Sequence, residues 1–228
     1  MTLRYSIRND PNTKTYVYFK PTDNSDLDDI KMMLDSEDSI QVYDNAEESN
    51  PTNSYKNVTE YIYRIITSSE FLCKGLNTDY ILDSFNDVDA IVILGSTMNI
   101  LPNGNVFGFA LIKFEERTNS LYIDIICSHV GITGAGELLL SQIQRICRHL
   151  YITRIELKSV KSAIPFYEKY GFVKRGVCGN LCSMEKTVRA TAHGKRIKQK
   201  TQKKYRKKRK SVKSRKALKR NLKTRRKH

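Results

Sequence analysis

The chain has 228 residues, 40 of them Lys or Arg and 24 Asp or Glu, for a formal net charge of +16, and 39% are hydrophobic. That length suits one globular domain with an extension, and so low an apolar share leaves part of the chain outside any core. No run of about 18 apolar residues is present, which argues against a membrane-spanning helix and a membrane partner, and "MTLRYSIRND" lacks the apolar stretch of a secretory signal.

In chain order, residues 1–12 read as an N-terminal extension and "TYVYFK" (15–20) as a strand. "DLDDIKMMLDS" reads as a short helix with an Asp-rich first turn, and "NAEESNPTNS" as a loop. Between residues 21 and 50 there are ten acids and one base, Lys31, a patch suited to a basic peptide, the chain's own tail included. "NVTEYIYRIITSSEFLCK" reads as a second helix, with Val58, Ile62, Ile65 and Ile66 near one face and Asn57 placed to cap it. "AIVILGST" (90–97) is an apolar run of strand length, and "NGN" (103–105) has turn chemistry.

"VFGFALIKFEE" and "SLYIDIICS" follow as strands about the turn "RTN". In the second, Leu121, Ile123 and Ile125 are expected on one face and Tyr122 and Asp124 on the other. After "GITGAG" (131–136), Leu139, Ile143, Ile146 and Leu150 share one side of an amphipathic helix. "TRIELKSV" is another strand, "SAIPFYEKY" a short helix closed by Gly171, and "FVKRGV" and "NLCSMEKTV" a final pair of strands. The order gives an α+β (mixed α/β) fold with one sheet.

The five cysteines are odd in number and lie mostly in apolar segments, which suits buried thiols in a reducing, intracellular compartment better than disulfides. Cys178 and Cys182 flank "GNL", but no second Cys pair or nearby His completes a ligand set, so no metal is expected.

The glycines of "GITGAG" have two readings. They sit where a strand turns into a helix, and the first backbone N–H groups of a helix lack partners and carry partial positive charge. Glycines there let a phosphate approach. Alternatively, Gly131 and Gly134 make the turn and Gly136 lets the helix pack on the sheet. The spacing is neither a Walker loop nor the dinucleotide fingerprint.

Residues 106–172 resemble the GNAT family of N-acetyltransferases. The strand "YIDIICS" runs into "GITGAG" and an amphipathic helix, a strand "IELKSV" follows, and "AIPFYEKYGF" is similar to the family's Ala-x-x-φ-Tyr-Glu-Lys-φ-Gly-Phe ending, φ being apolar. The resemblance implies a domain over 13–188 with a central V-splayed mixed sheet flanked by helices. It also implies transfer of an acetyl group from acetyl-CoA to a primary amine. Backbone N–H groups of Gly131, Ile132, Thr133, Gly134, Ala135, Gly136 and Glu137 would hold the pyrophosphate. Ile126, Cys127 and Ser128 would offer backbone groups to the pantetheine amides and the thioester oxygen. Tyr167 matches the family's general acid, with a packed aromatic as its plain alternative.

A lysine amine needs help to lose its proton at pH 7, at a cost of roughly 4–5 kcal/mol. Asp124 is the candidate base, reaching through water, and Glu115 the runner-up. Two positions depart from the family pattern: Gly131 stands where Arg or Gln usually begins the loop, and Val160 where an Asn is frequent.

The chain ends in a charge division. Of the 40 basic residues, 21 lie between Arg189 and His228 with no acid among them, so residues 1–188 keep 19 against all 24 acids. The body is net −5 and the tail +21. The tail has almost nothing to bury and is expected to be disordered. Contact with nucleic-acid phosphates, a nuclear address in "KKYRKKRK" and a solubilising role are its three readings, the first favoured. A nucleus or another nucleic-acid-rich compartment is left open. Two functions stand: an acetyltransferase tethered to nucleic acid and acting on an amine acceptor such as a basic protein or peptide, or a catalytically weak acyl-CoA fold that mainly binds nucleic acid.

Overall fold

The computed structural model describes residues 5–6, 13–21, 25–35, 40–43, 55–68, 72–73, 76–96 and 106–189. The expected "NGN" turn, the whole of the "NAEESNPTNS" loop and all but the first residue of the polybasic tail lie outside the described residues.

The elements are β1 (Tyr5–Ser6), β2 (Thr13–Phe19), α1 (Ser25–Asp35), β3 (Ile40–Tyr43), α2 (Tyr55–Ser68), α3 (Thr78–Asp87), β4 (Ala90–Ser96), β5 (Val106–Glu115), β6 (Ser120–Ser128), β7 (Ile132–Thr133), α4 (Ala135–His149), β8 (Arg154–Val160), α5 (Ile164–Lys169), β9 (Val173–Arg175) and β10 (Leu181–Thr187). Eight strands form one mixed sheet in the order β3-β2-β4-β5-β6-β8-β10-β9. Two of its pairings are parallel, β2 with β3 and β6 with β8. The second needs a crossover, which α4 supplies.

Helices cover both faces. Leu27 and Leu34 of α1, Leu139, Ile143 and Ile146 of α4, and Ile164 and Tyr167 of α5 join one buried cluster with Val17, Val92, Ala110 and Ile123 of the strands. Tyr55, Val58 and Ile62 of α2 and Ile81 and Phe85 of α3 cover the opposite face, over Tyr18, Ile91, Phe109 and Leu111. With both faces buried, β4 and most of β5 read as unbroken apolar runs rather than alternating ones.

Several expectations change. The second helix begins at Tyr55, so Asn57 lies inside it and does not cap it. The helix α3 was not expected. Asn77 caps it, its side chain accepting from the Asp79 N–H at 2.8 Å. The cysteines are paired, Cys73 with Cys127 and Cys178 with Cys182, with Cα atoms 5.0 and 4.6 Å apart, inside the disulfide range. Only Cys147, among the described residues, is the buried thiol expected. The physical reason is tertiary: Leu72 bridges to His129 across the end of β6 and brings Cys73 over Cys127, 54 residues away in sequence.

Candidate active site

The site begins where two strands part. β6 runs antiparallel beside β5 as far as Ser128, which lies opposite Gly108. On its other side, β6 pairs with β8 only from Ser120 to Ile123, against Arg154 to Leu157. β8 itself stays paired with β10 through Val160. The sheet therefore opens as a V between Asp124–Ser128 and Lys158–Val160, as the family resemblance implied. Backbone groups along that edge of β6 are not bonded to β8, and such an edge takes an extended, amide-bearing chain by strand addition.

The first residue past the vertex is Asp124. The β5–β6 register passes from Leu111 opposite Ile125 to Ile112 opposite Ile123, so Asp124 has no partner and forms a β-bulge. A bulge re-aims side chains. Here it also reverses the face: Leu121 and Ile123 enter the cluster under α4, whereas Ile125 and Cys127 enter the one under α2 and α3. The expected single stripe of Leu121, Ile123 and Ile125 is thus broken. Asp124 is half-buried and accepts a hydrogen bond from the Tyr80 hydroxyl of α3 at 3.4 Å. Glu115, the runner-up base, lies opposite Ser120 at the far end of β6. At about 3.3 Å per residue, that is on the order of 26 Å from Ser128.

The glycines divide the work of the turn. Gly131 donates its N–H to His129 Nδ1 at 3.1 Å, and Ile132 donates to the His129 carbonyl at 3.1 Å. A Cβ on Gly131 would lie 3.1 Å from His129 Cε1, so the imidazole occupies the space a larger residue would enter. Ile132 and Thr133 form β7, paired in parallel with Tyr5 and Ser6. Gly134 has φ +90°, a left-handed conformation that suits glycine, and its carbonyl accepts the bond from Leu138 N–H at 2.9 Å. The N–H groups of Ala135, Gly136 and Glu137 precede that bond and belong to the electropositive start of α4. A Cβ on Gly136 would lie 3.2 Å from Ser128 Oγ and 3.5 Å from Phe166 Cζ. The end of β6, the start of α4 and the helix α5 thus meet at this glycine.

Tyr167 follows Phe166 on α5. Its ring is buried and meets Phe166 edge-on at 5.2 Å and Phe172 at 5.6 Å. Burial pushes its phenol up to about 12, because the phenolate would be poorly solvated there. Pro165 opens the helix, and Gly171, at φ +81°, ends it and returns Phe172 onto the tyrosine.

Of the residues singled out from sequence, Ile126, Cys127 and Ser128 line the unpaired edge of β6, and Gly131 to Glu137 form the turn and first turn of α4. The Cys127 side chain points away, joined to Cys73. Val160 stands 46% exposed at the open end of β8. Sequence reasoning missed Tyr80. The cap "NTD" followed by Ile81 and Phe85, four apart, was the available signal for its helix. Among the described residues no group of three His, Cys, Asp or Glu is arranged to hold a metal ion, and no helix is long and apolar enough to cross a membrane.

No curated protein matches the chain. Solved structures similar to it include Ard1 from Thermoplasma volcanium, 22% identical over 60% of this chain and 94% of that one, with a TM-score of 0.44. Tetrahymena GCN5 is 13% identical over 64% and 95%, with a TM-score of 0.47. The PaiA N-acetyltransferase from Thermoplasma acidophilum, solved with coenzyme A, is 17% identical over 58% and 92%, with a TM-score of 0.40. Residues 95–180 match the family described as "Acetyltransferase (GNAT) domain". That span takes in the splayed strand, the glycine turn and the Tyr167 helix, and the chain carries a GNAT acetyltransferase domain there.

Proposed function

We propose that this protein transfers an acetyl group from acetyl-CoA to a primary amine, the amine belonging to a basic protein or peptide, and that residues 189–228 tether it to nucleic acid. The reading rests chiefly on one convergence: the unpaired edge of β6, the N–H groups that open α4, and the α5 helix bearing Tyr167 come together around Gly136. Acetyl-CoA supplies the acetyl group as a thioester. The N–H groups of Ala135, Gly136 and Glu137 suit its pyrophosphate, and the β6 edge from Ile126 to Ser128 suits its amides. The amine nitrogen bonds to the acetyl carbon and the carbon–sulfur bond breaks. Asp124 accepts the amine's proton through water, and the Tyr167 hydroxyl gives a proton to the departing thiolate. A phenol held near 12 keeps its proton at pH 7 and so is available as an acid.

The test is calorimetric titration of the full chain with acetyl-CoA, beside Thr133→Glu. Thr133 is exposed on the turn, so the change adds a negative charge without straining a glycine. Binding by the parent chain and about tenfold or greater loss in the variant, at equal melting temperature, is expected from like-charge repulsion. No heat with millimolar acetyl-CoA in the parent sinks the reading. One observation favours the weaker alternative, an acyl-CoA fold that chiefly binds nucleic acid: the Gly131 N–H is already engaged by His129 and has no side chain to add. Turnover of acetyl-CoA with an amine acceptor, followed as thiol release, separates the two.

A further inference from the structure

We propose that Tyr80 is a positioning residue for the reaction, holding the Asp124 carboxylate at the vertex of the splay from the helix α3. This rests on the reading of Asp124 as the base.

The observations come from two distant segments. Asp124 sits on a bulge, where the β5 register gives it no opposing residue to fix its direction. A side chain there needs another anchor. Tyr80, 44 residues earlier, provides it, its hydroxyl donating to Asp124 Oδ1 at 3.4 Å. The ring is 50% exposed, an unusual placement for an aromatic whose helix buries Ile81 and Phe85 beside it. Ile81 and Phe85 seat α3 on the sheet, and Tyr80 is what α3 then presents towards β6. Its hydroxyl meets Asp124, the first residue of β6 past the last β6–β8 pair.

The surrounding groups agree. The Tyr80 phenol is raised, first by loss of solvation and then by the Asp124 charge, with Ser84 on its own helix opposing through a hydrogen bond. Tyr122, on the same strand as Asp124, is raised by loss of solvation and then by Asp124, Tyr80 and Glu156. The Tyr80 hydroxyl, donating to the carboxylate, gives it an anchor that the bulge does not, as a base that must meet an ammonium proton requires.

Two measurements on the full chain decide it. The first is turnover, followed as thiol release from acetyl-CoA with poly-L-lysine as acceptor, in Tyr80→Phe, Asp124→Asn and the double variant. Tyr80→Phe should lower kcat about tenfold, the low end for a hydrogen bond to a charged group, with the KM for acetyl-CoA and the melting temperature unchanged. In the Asp124→Asn background the same change should cost less than about twofold, because the two residues act as a unit. Losses that multiply, or a Tyr80→Phe enzyme as fast as the parent, overturn the proposal and leave Asp124 as base intact. An Asp124→Asn enzyme at full speed overturns both.

The second measurement does not depend on turnover. In ring-labelled protein, the tyrosine resonance lost in Tyr80→Phe should titrate at lower pH in Asp124→Asn than in the parent. An unchanged titration overturns the proposal even where poly-L-lysine proves no acceptor, a result that would count only against the acceptor class proposed above.

Discussion

Tyr167 meets two demands at one position. Its ring fills the core between Phe166 and Phe172, and its hydroxyl is the proton donor in the proposed reaction. Tyr167→Phe separates them, because phenylalanine keeps the packing and removes the donor. Turnover should fall about 10²–10⁴-fold, with acetyl-CoA affinity and melting temperature nearly unchanged. A Phe variant as fast as the parent, with chemistry rate-limiting, would leave Tyr167 as a packing residue alone. The pH dependence follows from the same burial. The folded phenol titrates near 12 and the ordinary one near 10, so the stabilisation this tyrosine gives as a protonated group is complete below pH 10 and is lost as pH rises towards 12. A fall in turnover between pH 8 and 10 therefore belongs to another group, and the Phe variant should resist alkaline melting better than the parent. The glycine turn was legible in sequence because it depends on local spacing, and Tyr167 was singled out by the resemblance of "AIPFYEKYGF" to a family ending. Asp124 was legible as a candidate but its direction was not. "SLYIDIICS" keeps alternating apolar and other residues through the bulge, and only the partner strand reveals that the faces have changed over.

Among elements, the β5–β6 pair governs the site, and one glycine governs the pair. A Cβ on Gly108 would lie 2.7 Å from the Cys127 carbonyl oxygen and 3.4 Å from Leu139 Cδ2. The strands can approach so closely at the base of the glycine turn only because nothing projects there. Gly108→Ala should cost about 1–3 kcal/mol as an overpacked core position. It should also loosen acetyl-CoA binding, since relief of the clash moves Cys127 and Ser128, whose edge is the proposed seat of the amides. Denaturant unfolding and calorimetric titration measure the two effects, and an unchanged unfolding midpoint would count against the close approach. From sequence, Gly108 was simply one more residue of "VFGFALIKFEE". The helix that sequence reasoning passed over, α3, is short, and its Ile81 and Phe85 make too brief a periodic run to stand out against the surrounding loop residues. The cysteine pairing was hidden for a related reason. It depends on Leu72 crossing to His129, a contact no local pattern announces.

At the scale of the whole molecule, charge separates what composition alone averages. A net +16 is the sum of an acidic body and a tail of 21 cations in 40 residues. Their partners should differ accordingly. Under the proposed tether, duplex DNA or RNA binds through residues 189–228 by displacing counterions, with little preference for sequence. A segment that neutralises about 6–10 phosphates loses roughly 10³–10⁵ in affinity between 50 and 200 mM salt. The chain lacking residues 189–228, net negative, should not bind under the same conditions. Acetylation of the tail's lysines would remove its charges singly, so incubation with acetyl-CoA should weaken binding stepwise if the tail is itself an acceptor. Intact mass before and after incubation, with Tyr167→Phe alongside, counts the groups transferred, and gel shift over the salt series reads the consequence. Equal acetylation of parent and variant means chemical rather than enzymatic transfer. Binding that ignores salt, or survives removal of the tail, ends the tether as an explanation of the 21 charges.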